Sequence, residues 1–170
     1  HRGPGRSVDH WKPWFARVRE ANAAGANIRP QVGSRCFGVL MGLQSRLNPF
    51  QYRASYRRIA ELPLAERVQA MREPGVRAAI LADEPDHSGP IALDKVGRKA
   101  MARLYPLGDD LDYEPTPDRS IAAVAAREGR DPWEVAYDAL LGADGKDFLL
   151  LPLLNYGNDS YDGLHEMMSD

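Results

Sequence analysis

The sequence predicts an α/β fold that is predominantly helical. Two apolar segments, residues 27–32 and 148–154, are typical of buried strands, and the second is apolar on both faces, as strands of parallel sheets are. More than 100 residues of mainly helical pattern separate the two segments. A crossover between neighbouring parallel strands needs only about a dozen residues or slightly more. Residues 48–117 are therefore predicted to form a helical insertion between two strands of one sheet.

The composition bounds the class of protein. The chain has 170 residues, which is about one domain, and 44% of them are hydrophobic, which is enough for a core. Its formal net charge is -2 and it has no long basic block, so a nucleic acid is not an expected partner. No run of about 18 apolar residues indicates a membrane span, no signal peptide is evident, and a cytoplasmic location is expected.

The cysteine content and the two ends of the chain add further expectations. Cys36 is the one cysteine, so it cannot form an intramolecular disulfide or a thiolate zinc site, and we expect it to be buried. The chain begins at His1 rather than at a methionine, and it ends at Asp170 just after a helical pattern. Both ends are therefore expected to be cuts within a larger protein.

The first predicted helix precedes the first predicted strand. It begins near Asp9, a good N-cap residue, and ends at Gly25. Four apolar residues at three- and four-residue spacing give this helix a stripe that we expect to be buried: Trp11, Trp14, Phe15 and Val18. The order helix, short loop, strand is half of a βαβ unit.

The other helices follow from the same signals. Asp131-Pro132 is a strong start signal, because an N-cap Asp precedes a Pro at the first helical position, and Gly129 is expected to end the helix before it. Residues 37–47, which include two glycines, are predicted to be a loop or a short helix. The remaining helices are predicted at residues 55–62, 64–72, 75–82, 94–105, 120–127, 132–141 and 161–168.

Polar side chains follow both predicted strands. Gln31, Ser34 and Arg35 come at the end of the first, and Asn155 and Tyr156 come at the end of the second. Because ligands in α/β proteins bind outside the carboxyl ends of strands, we expect these side chains to border one pocket and to bind substrate. The alternative is that they are ordinary residues of solvated loops and strand-end turns.

Several short segments follow one another in a recognisable order. The first half contains Arg29-Pro30-Gln31-Val32, the Gly- and Leu-rich residues 37–43, Asn48-Pro49-Phe50, and Leu62-Pro63-Leu64-Ala65-Glu66-Arg67. The second half contains residues 118–122 and 129–132, Asn155-Tyr156, and the helix pattern at 164–168. In their order and spacing, these segments resemble the N-acyl-D-amino-acid deacylase (D-aminoacylase-like) branch of the amidohydrolase superfamily, over nearly the whole chain.

This resemblance implies a metal-dependent (β/α)8 TIM-type barrel of which the chain is a central fragment. Residues 1–47 would be a first barrel segment, 48–117 a helical insertion, and 118–170 a second barrel segment. It further implies that the parent protein binds zinc and hydrolyses the amide bond of N-acyl-D-amino acids or related amides, with a metal-activated water attacking the carbonyl. The implied partners are that small-molecule amide and the rest of the barrel.

The resemblance also assigns site residues and shows departures. A metal-binding histidine is implied at His1 or immediately before it. The next ligand position corresponds to Arg29, which cannot bind zinc because a guanidinium is always protonated. Either the parent has one metal or an altered second site, or the substrate carboxylate pairs with Arg29 or Arg35. The family's His-x-His pair and catalytic Asp are not matched, since Asp170 lies too early, so no catalytic residue is assigned and the fragment alone is expected to be inactive.

The alternative interpretation is a non-catalytic helical interaction module. Such a module should be a stable monomer by itself. A barrel fragment, in contrast, should expose an apolar surface where the missing barrel would pack, and it should tend to self-associate.

Overall fold

The computed structural model describes residues 9–86, 100–109, 111–156 and 159–169. Within these ranges, seven α-helices and a small three-stranded sheet give a mostly helical α/β fold. The helices are α1 (Lys12–Ala23), α2 (Ala54–Arg57), α3 (Leu64–Arg72), α4 (Pro74–Ala82), α5 (Ile121–Glu128), α6 (Pro132–Leu140) and α7 (Asp162–Ser169). The strands are β1 (Phe37–Gly42), β2 (Tyr105–Pro106) and β3 (Phe148–Leu154).

The chain forms two compact units. One unit consists of His1–Gly38 together with Pro152–Asp170, and the other is Val39–Leu151. The second unit contains the large hydrophobic core, to which α2, α3, α4, α5 and α6 all contribute buried residues. This unit therefore has a core of its own. Full burial of one such side chain stabilises a fold by about 1.5–3 kcal/mol.

The end of α5 and the start of α6 are as the sequence predicts, whereas the N-cap of α5 is Ser120 and not the predicted Asp118. Ser120 Oγ accepts a hydrogen bond from the backbone N–H of Ala123 at 3.2 Å, and the Asp131 carboxylate accepts one from Trp133 N–H at 2.8 Å. These caps satisfy N–H groups that have no partner within the helix. Gly129 ends α5 at a φ of 66°, a left-handed conformation that glycine adopts without strain.

Arg53 is a cation inside the core of the 39–151 unit. It is 4% exposed, and its guanidinium lies 4.5 Å from the ring centroid of Trp133 and 5.5 Å from that of Phe50. Its Nη1 donates to the carbonyl oxygens of Ile80 and Leu81 at 2.8 and 2.9 Å. Burial lowers the pKa of this guanidinium. Arg53 therefore satisfies the carbonyls at the end of α4 and packs between two aromatic rings.

The first strand lies ten residues later than predicted. Residues 27–32 have no regular secondary structure, whereas β1 occupies residues 37–42, which were predicted to be a loop or a short helix. Asn22 explains why the earlier segment is extended without a sheet. Its Nδ2 donates to Ile28 O at 2.9 Å, and its Oδ1 accepts from Ile28 N at 2.8 Å. One side chain thus supplies the two bonds that a neighbouring strand would make.

The second strand is confirmed, and its partners correct the predicted direction. β3 lies between β1 and β2 in one sheet, so the sheet contains two longer strands as predicted. β2 pairs with β3 antiparallel, with Tyr105 opposite Leu150. Against β1, the ring of Phe148 packs on Gly42, and Gln44 Nε2 donates to Lys146 O at 3.5 Å. These contacts lie where β1 ends and β3 begins. The β2–β3 pair is antiparallel, where parallel strands were predicted.

Several helix predictions need correction. The helix predicted at 55–62 ends early, because α2 stops at Arg57, while α3, α4 and α7 agree with the prediction to within about one residue. Residues 94–99 of the helix predicted at 94–105 lie outside the described residues, and its predicted end is wrong because Tyr105 belongs to β2. The predicted buried stripe of α1 is wrong: Trp11 just before the helix is buried, but Trp14 is 65% exposed and no residue of the helix is buried. Among the described helices, none has the length and apolar character that a bilayer crossing requires.

Candidate functional site

The loop before β1 meets the residues that follow β3, within the unit of residues 1–38 and 152–170. The Asn155 side chain donates from Nδ2 to the carbonyl oxygens of Gly33 at 3.1 Å and Arg35 at 3.4 Å. Asn155 has a φ of 59°, in the left-handed region that Asn tolerates better than most residues. Two of the predicted site segments are therefore brought together, although at the start of β1 rather than at its end.

Aromatic side chains pack beside this junction. Tyr156 is 2% exposed, and its ring makes an edge-to-face contact with Tyr161 at a centroid distance of 5.2 Å. The Tyr161 hydroxyl accepts a hydrogen bond from the backbone N–H of Cys36 at 3.4 Å. Cys36 is buried, as expected. Tyr156 is thus a packing residue at this junction, and Phe37 presses on Gly33, where any Cβ would overlap the ring.

The predicted substrate-binding side chains differ in exposure. Arg29, Gln31, Ser34 and Arg35 are exposed, whereas Asn155 is half-buried. Asn155 fixes the backbone of residues 33–35 and leaves the Arg35 guanidinium facing solvent. An exposed guanidinium on a fixed backbone suits two-point binding of a carboxylate.

The described residues do not fit a zinc ion. His1, the predicted metal ligand, lies outside them. In the part of the chain that the structure describes, no group of three or more His, Cys, Asp or Glu side chains is placed to hold a metal. Arg29, at the second implied ligand position, is a permanent cation. No chemical step can therefore be derived through zinc from these residues.

A cleft of about 670 Å³ lies between the two helices of the same unit. It is lined by Trp11, Lys12, Arg19, Asp162, His165, Glu166 and Ser169. Lys12 Nζ lies 2.7 Å from carboxylate oxygens of both Asp9 and Glu166, and hydrogen bonds with Asp9 and then with Glu166 raise the pKa of Lys12 to about 12. This ion pair joins α1 to α7, so the cleft has a structural explanation.

A second cleft, of about 700 Å³, lies in the 39–151 unit and was missed by the sequence reasoning. It lies where β1 passes into the insertion, and it is lined by Leu43, Gln44, Ser45, Arg46, Asn48, Gln51, Tyr56, Ala60, Glu61, Leu64 and Arg67. Asn48 and Arg67 belong to segments that carry the family resemblance, but the resemblance used only the order of these segments and assigned the two residues no role. Their contribution to one cleft depends on how residues 43–67 fold back on themselves, which helix and strand patterns do not contain.

Two of the lining side chains, Asn48 and Arg67, converge on the Tyr56 hydroxyl. Asn48 Oδ1 accepts from Phe50 N–H at 2.9 Å, which orients the amide so that Nδ2 donates to Tyr56 Oη at 3.1 Å. Arg67 Nη1 donates to the same oxygen at 3.3 Å. Tyr56 is 2% exposed and Asn48 is 7% exposed, so this network is at the base of the cleft.

Arg67 also fixes the backbone on either side of the cleft. Its Nη1 donates to Leu43 O at 2.7 Å, and its Nη2 donates to Leu62 O at 2.9 Å. Carbonyl groups at the end of β1 and just before α3 are thus satisfied by one guanidinium, which lies half-buried between them.

Comparison with known proteins identifies no relative of this chain. No protein-family model, curated protein or solved structure matches the chain. A functional proposal can therefore use two kinds of observation: the order of segments in the sequence, and the geometry of the Asn155 junction and of the cleft beside Arg67.

Proposed function

We propose that this chain is the central segment of a zinc-dependent amidohydrolase of the D-aminoacylase-like branch, a (β/α)8 barrel enzyme that hydrolyses N-acyl-D-amino acids or related amides. The observation that supports it is the hydrogen-bond network at the base of the 39–151 cleft. This network joins Asn48 of the Asn-Pro-Phe segment to Leu62 and Arg67 of the Leu-Pro-Leu-Ala-Glu-Arg segment through Tyr56. Two of the segments that carry the resemblance are thus held together by one network.

A second network supports the proposal in the other unit. Asn155, from the Asn-Tyr segment after β3, bonds to the backbone at Gly33 and Arg35, directly after the Arg-Pro-Gln-Val segment. Segments far apart in the sequence, both of which carry the resemblance, again meet in space.

The proposed role of this junction is to bind the substrate carboxylate. Asn155 positions the backbone of Arg35, and the Arg35 guanidinium pairs with the carboxylate of the N-acyl amino acid. Arg29 is the second candidate for this pairing, and Gln31 and Ser34 supply further polar contacts. Tyr156 supports the junction from behind by packing on Tyr161. The resemblance assigns the remaining metal ligands and the catalytic base to other segments of the parent barrel, where bound zinc would supply the activated water.

The parent protein provides the decisive test. Its gene should encode a His-x-His pair upstream of this chain and a Ser/Gly-Asp pair downstream. The purified parent protein should release free amino acid from an N-acyl-D-amino acid, and it should lose that activity when a chelator removes zinc. The 170-residue chain assayed alone with zinc should show no turnover. A parent without the histidine pair, or without zinc-dependent hydrolysis, would refute the proposal, and enzyme-like turnover by the chain alone would refute the site assignment.

A non-catalytic helical interaction module is the second candidate. It is favoured by one observation: Val39–Leu151 is a compact unit with its own hydrophobic core. Exposed apolar side chains in the other unit favour the barrel segment instead, since Trp14 is 65% and Leu154 is 51% exposed. Native mass spectrometry with a hydrophobic-dye assay separates the two. A stable monomer with little dye binding supports the module, and self-association with strong dye binding supports the barrel segment.

A further inference from the structure

Arg67 is a half-buried cation whose hydrogen-bond acceptors are all neutral. They are the carbonyl oxygens of Leu43 and Leu62 and the hydroxyl of Tyr56. Among the ion pairs of the described residues none involves Arg67. Its Nε is buried without a hydrogen-bond partner in the described part of the chain. Because a charge withdrawn from water is costly unless it is paired, this guanidinium favours an anion beside it.

Tyr56 has a proton for which the described residues offer no acceptor. Its hydroxyl oxygen already accepts two hydrogen bonds, from Asn48 Nδ2 and Arg67 Nη1. The hydroxyl can therefore act towards a further group only as a donor. Asn48, Tyr56 and Arg67 all line the same cleft, so the acceptor for this proton would be an atom bound there.

The charges and size of the cleft narrow the class of ligand. Arg46 and Arg67 contribute two positive charges and Glu61 one negative charge, which matches an anion carrying a single charge. A volume of about 700 Å³ falls within the range of small-molecule sites. The apolar part of the lining is formed by Leu43, Ala60 and Leu64. It can contact a short hydrocarbon group of the ligand.

We propose that this cleft binds a small organic molecule through one carboxylate group. The Tyr56 hydroxyl donates to the carboxylate, Arg67 offsets its charge at the base of the cleft, and Arg46 does so at the mouth. Glu61 disfavours a multiply charged anion such as phosphate and provides a partner for an ammonium group, if the ligand carries one. This site is separate from the Asn155 junction and uses no metal, so this proposal can be tested independently of the amidohydrolase proposal.

The test is a nuclear magnetic resonance titration of the full 170-residue chain with sodium propionate. Saturable shifts are expected in the backbone amides of residues 43–48 and in the Arg67 Nε–H resonance. Sodium chloride at the same ionic strength should not reproduce them. Tyr56→Phe should weaken propionate binding roughly tenfold, because it removes a hydrogen bond to a charged group.

A pair of surface variants keeps the test informative if Tyr56→Phe disturbs the fold. Arg46→Gln removes an exposed charge at the cleft and should weaken binding about threefold. Arg17→Gln makes the same change on the exposed surface of α1, outside the cleft, and should leave the affinity unchanged. Linear shifts without saturation, equal shifts with chloride, equal affinities for all variants, or tighter binding of phosphate than of propionate would overturn the proposal.

Alanine as a second probe distinguishes two sources of the carboxylate. Equal affinities for alanine and propionate assign the site to simple carboxylic acids. Tighter binding of alanine, with the advantage lost in Glu61→Gln, assigns it to amino acids whose ammonium group pairs with Glu61. Both outcomes support a carboxylate site in this cleft.

Discussion

The two compact units of the chain are stabilised in different ways. In the 39–151 unit, helices and sheet surround a core, and even a buried cation, Arg53, has two carbonyl partners and two aromatic neighbours. In the unit of residues 1–38 and 152–170, α1 buries none of its residues, and its shape depends on polar bonds such as those of Asn22 and Asn155. Burial stabilises the 39–151 unit, whereas the unit of residues 1–38 and 152–170 depends more on polar bonds and exposes Trp14 and Leu154. Under the barrel proposal, the latter unit is the one expected to pack against the rest of the barrel.

Replacing Arg53 should produce the largest loss of stability. Arg53→Ala removes the packing between Phe50 and Trp133 and leaves the carbonyl groups of Ile80 and Leu81 without their donor. The expected cost is about 3 kcal/mol, since each unsatisfied buried group costs about 1–3 kcal/mol. Urea unfolding followed by circular dichroism measures it. Arg58→Ala, at an exposed position close by, is the matched control and should cost less than about 0.5 kcal/mol. Equal losses for both variants would show that the 39–151 core does not depend on its buried cation.

Replacing Asn155 should have a smaller effect, confined to the other unit. Asn155→Ala removes both hydrogen bonds to the 33–35 loop and places alanine at a φ of 59°. The expected loss is about 1–2 kcal/mol, accompanied by faster amide hydrogen exchange at residues 33–36. Asn155→Gly relieves the backbone conformation without restoring the bonds, and it should therefore recover only part of the stability. Unchanged exchange at 33–36 in both variants would contradict the role assigned to this junction.

Replacing Asp147 should stabilise the 39–151 unit in a pH-dependent way. Burial and then the nearby charge of Asp109 raise the pKa of the Asp147 carboxyl. The folded chain therefore binds this proton more tightly than the unfolded chain, so the destabilisation by the Asp147 carboxylate is complete above its folded pKa and is relieved as the pH falls through that pKa towards the unfolded value. Asp147→Asn should be more stable than the natural chain at pH 7, and the advantage should disappear in acid.

Thermal unfolding at several pH values measures this advantage. Asp144→Asn serves as the control, because Asp144 is exposed on the same turn and its ion pair with Arg72 is a surface pair that contributes little. A pH-independent advantage of Asp147→Asn would mean that packing, and not charge, is responsible.

Replacing Trp14 should change stability least and association most. Trp14 is 65% exposed, so Trp14→Gln should alter the free energy of unfolding by less than about 0.5 kcal/mol. If the uncovered surface of this unit drives self-association, the same variant should reduce the fraction of dimer and larger species in analytical ultracentrifugation. The matched comparison is Tyr113→Gln, which removes an exposed aromatic residue from the 39–151 unit and should leave association unchanged.

Local signals made part of the fold predictable. The start of α6 at Asp131-Pro132 and the end of α5 at Gly129 depend on side-chain and backbone chemistry within a few residues. β3 was predictable because a run of seven residues that is apolar throughout is difficult to place except in a buried strand. In each case the sequence next to the element contains its physical cause.

Long-range contacts explain what could not be predicted. β1 contains Gly38 and Gly42, which favour a loop when only the local sequence is considered. The structure shows that Gly42 makes room for the ring of Phe148, more than 100 residues away. The proximity of Asn155 to residues 33–35 was expected at the carboxyl ends of two parallel strands, but these residues lie before β1 and not after it. The cleft beside Arg67 was missed because it forms where residues 43–67 fold back on themselves, which helix and strand patterns do not encode.

The guanidinium of Arg67 closes a loop as well as a cleft. Its hydrogen bonds to the carbonyl groups of Leu43 and Leu62 keep the two ends of an 18-residue stretch, residues 44–61, close together. The two ends of this stretch are therefore held at a fixed separation, whatever the length of the stretch between them. An insertion at its exposed turns is therefore expected to remain local, provided that the buried residues of the stretch, among them Phe50, Arg53 and Tyr56, are kept.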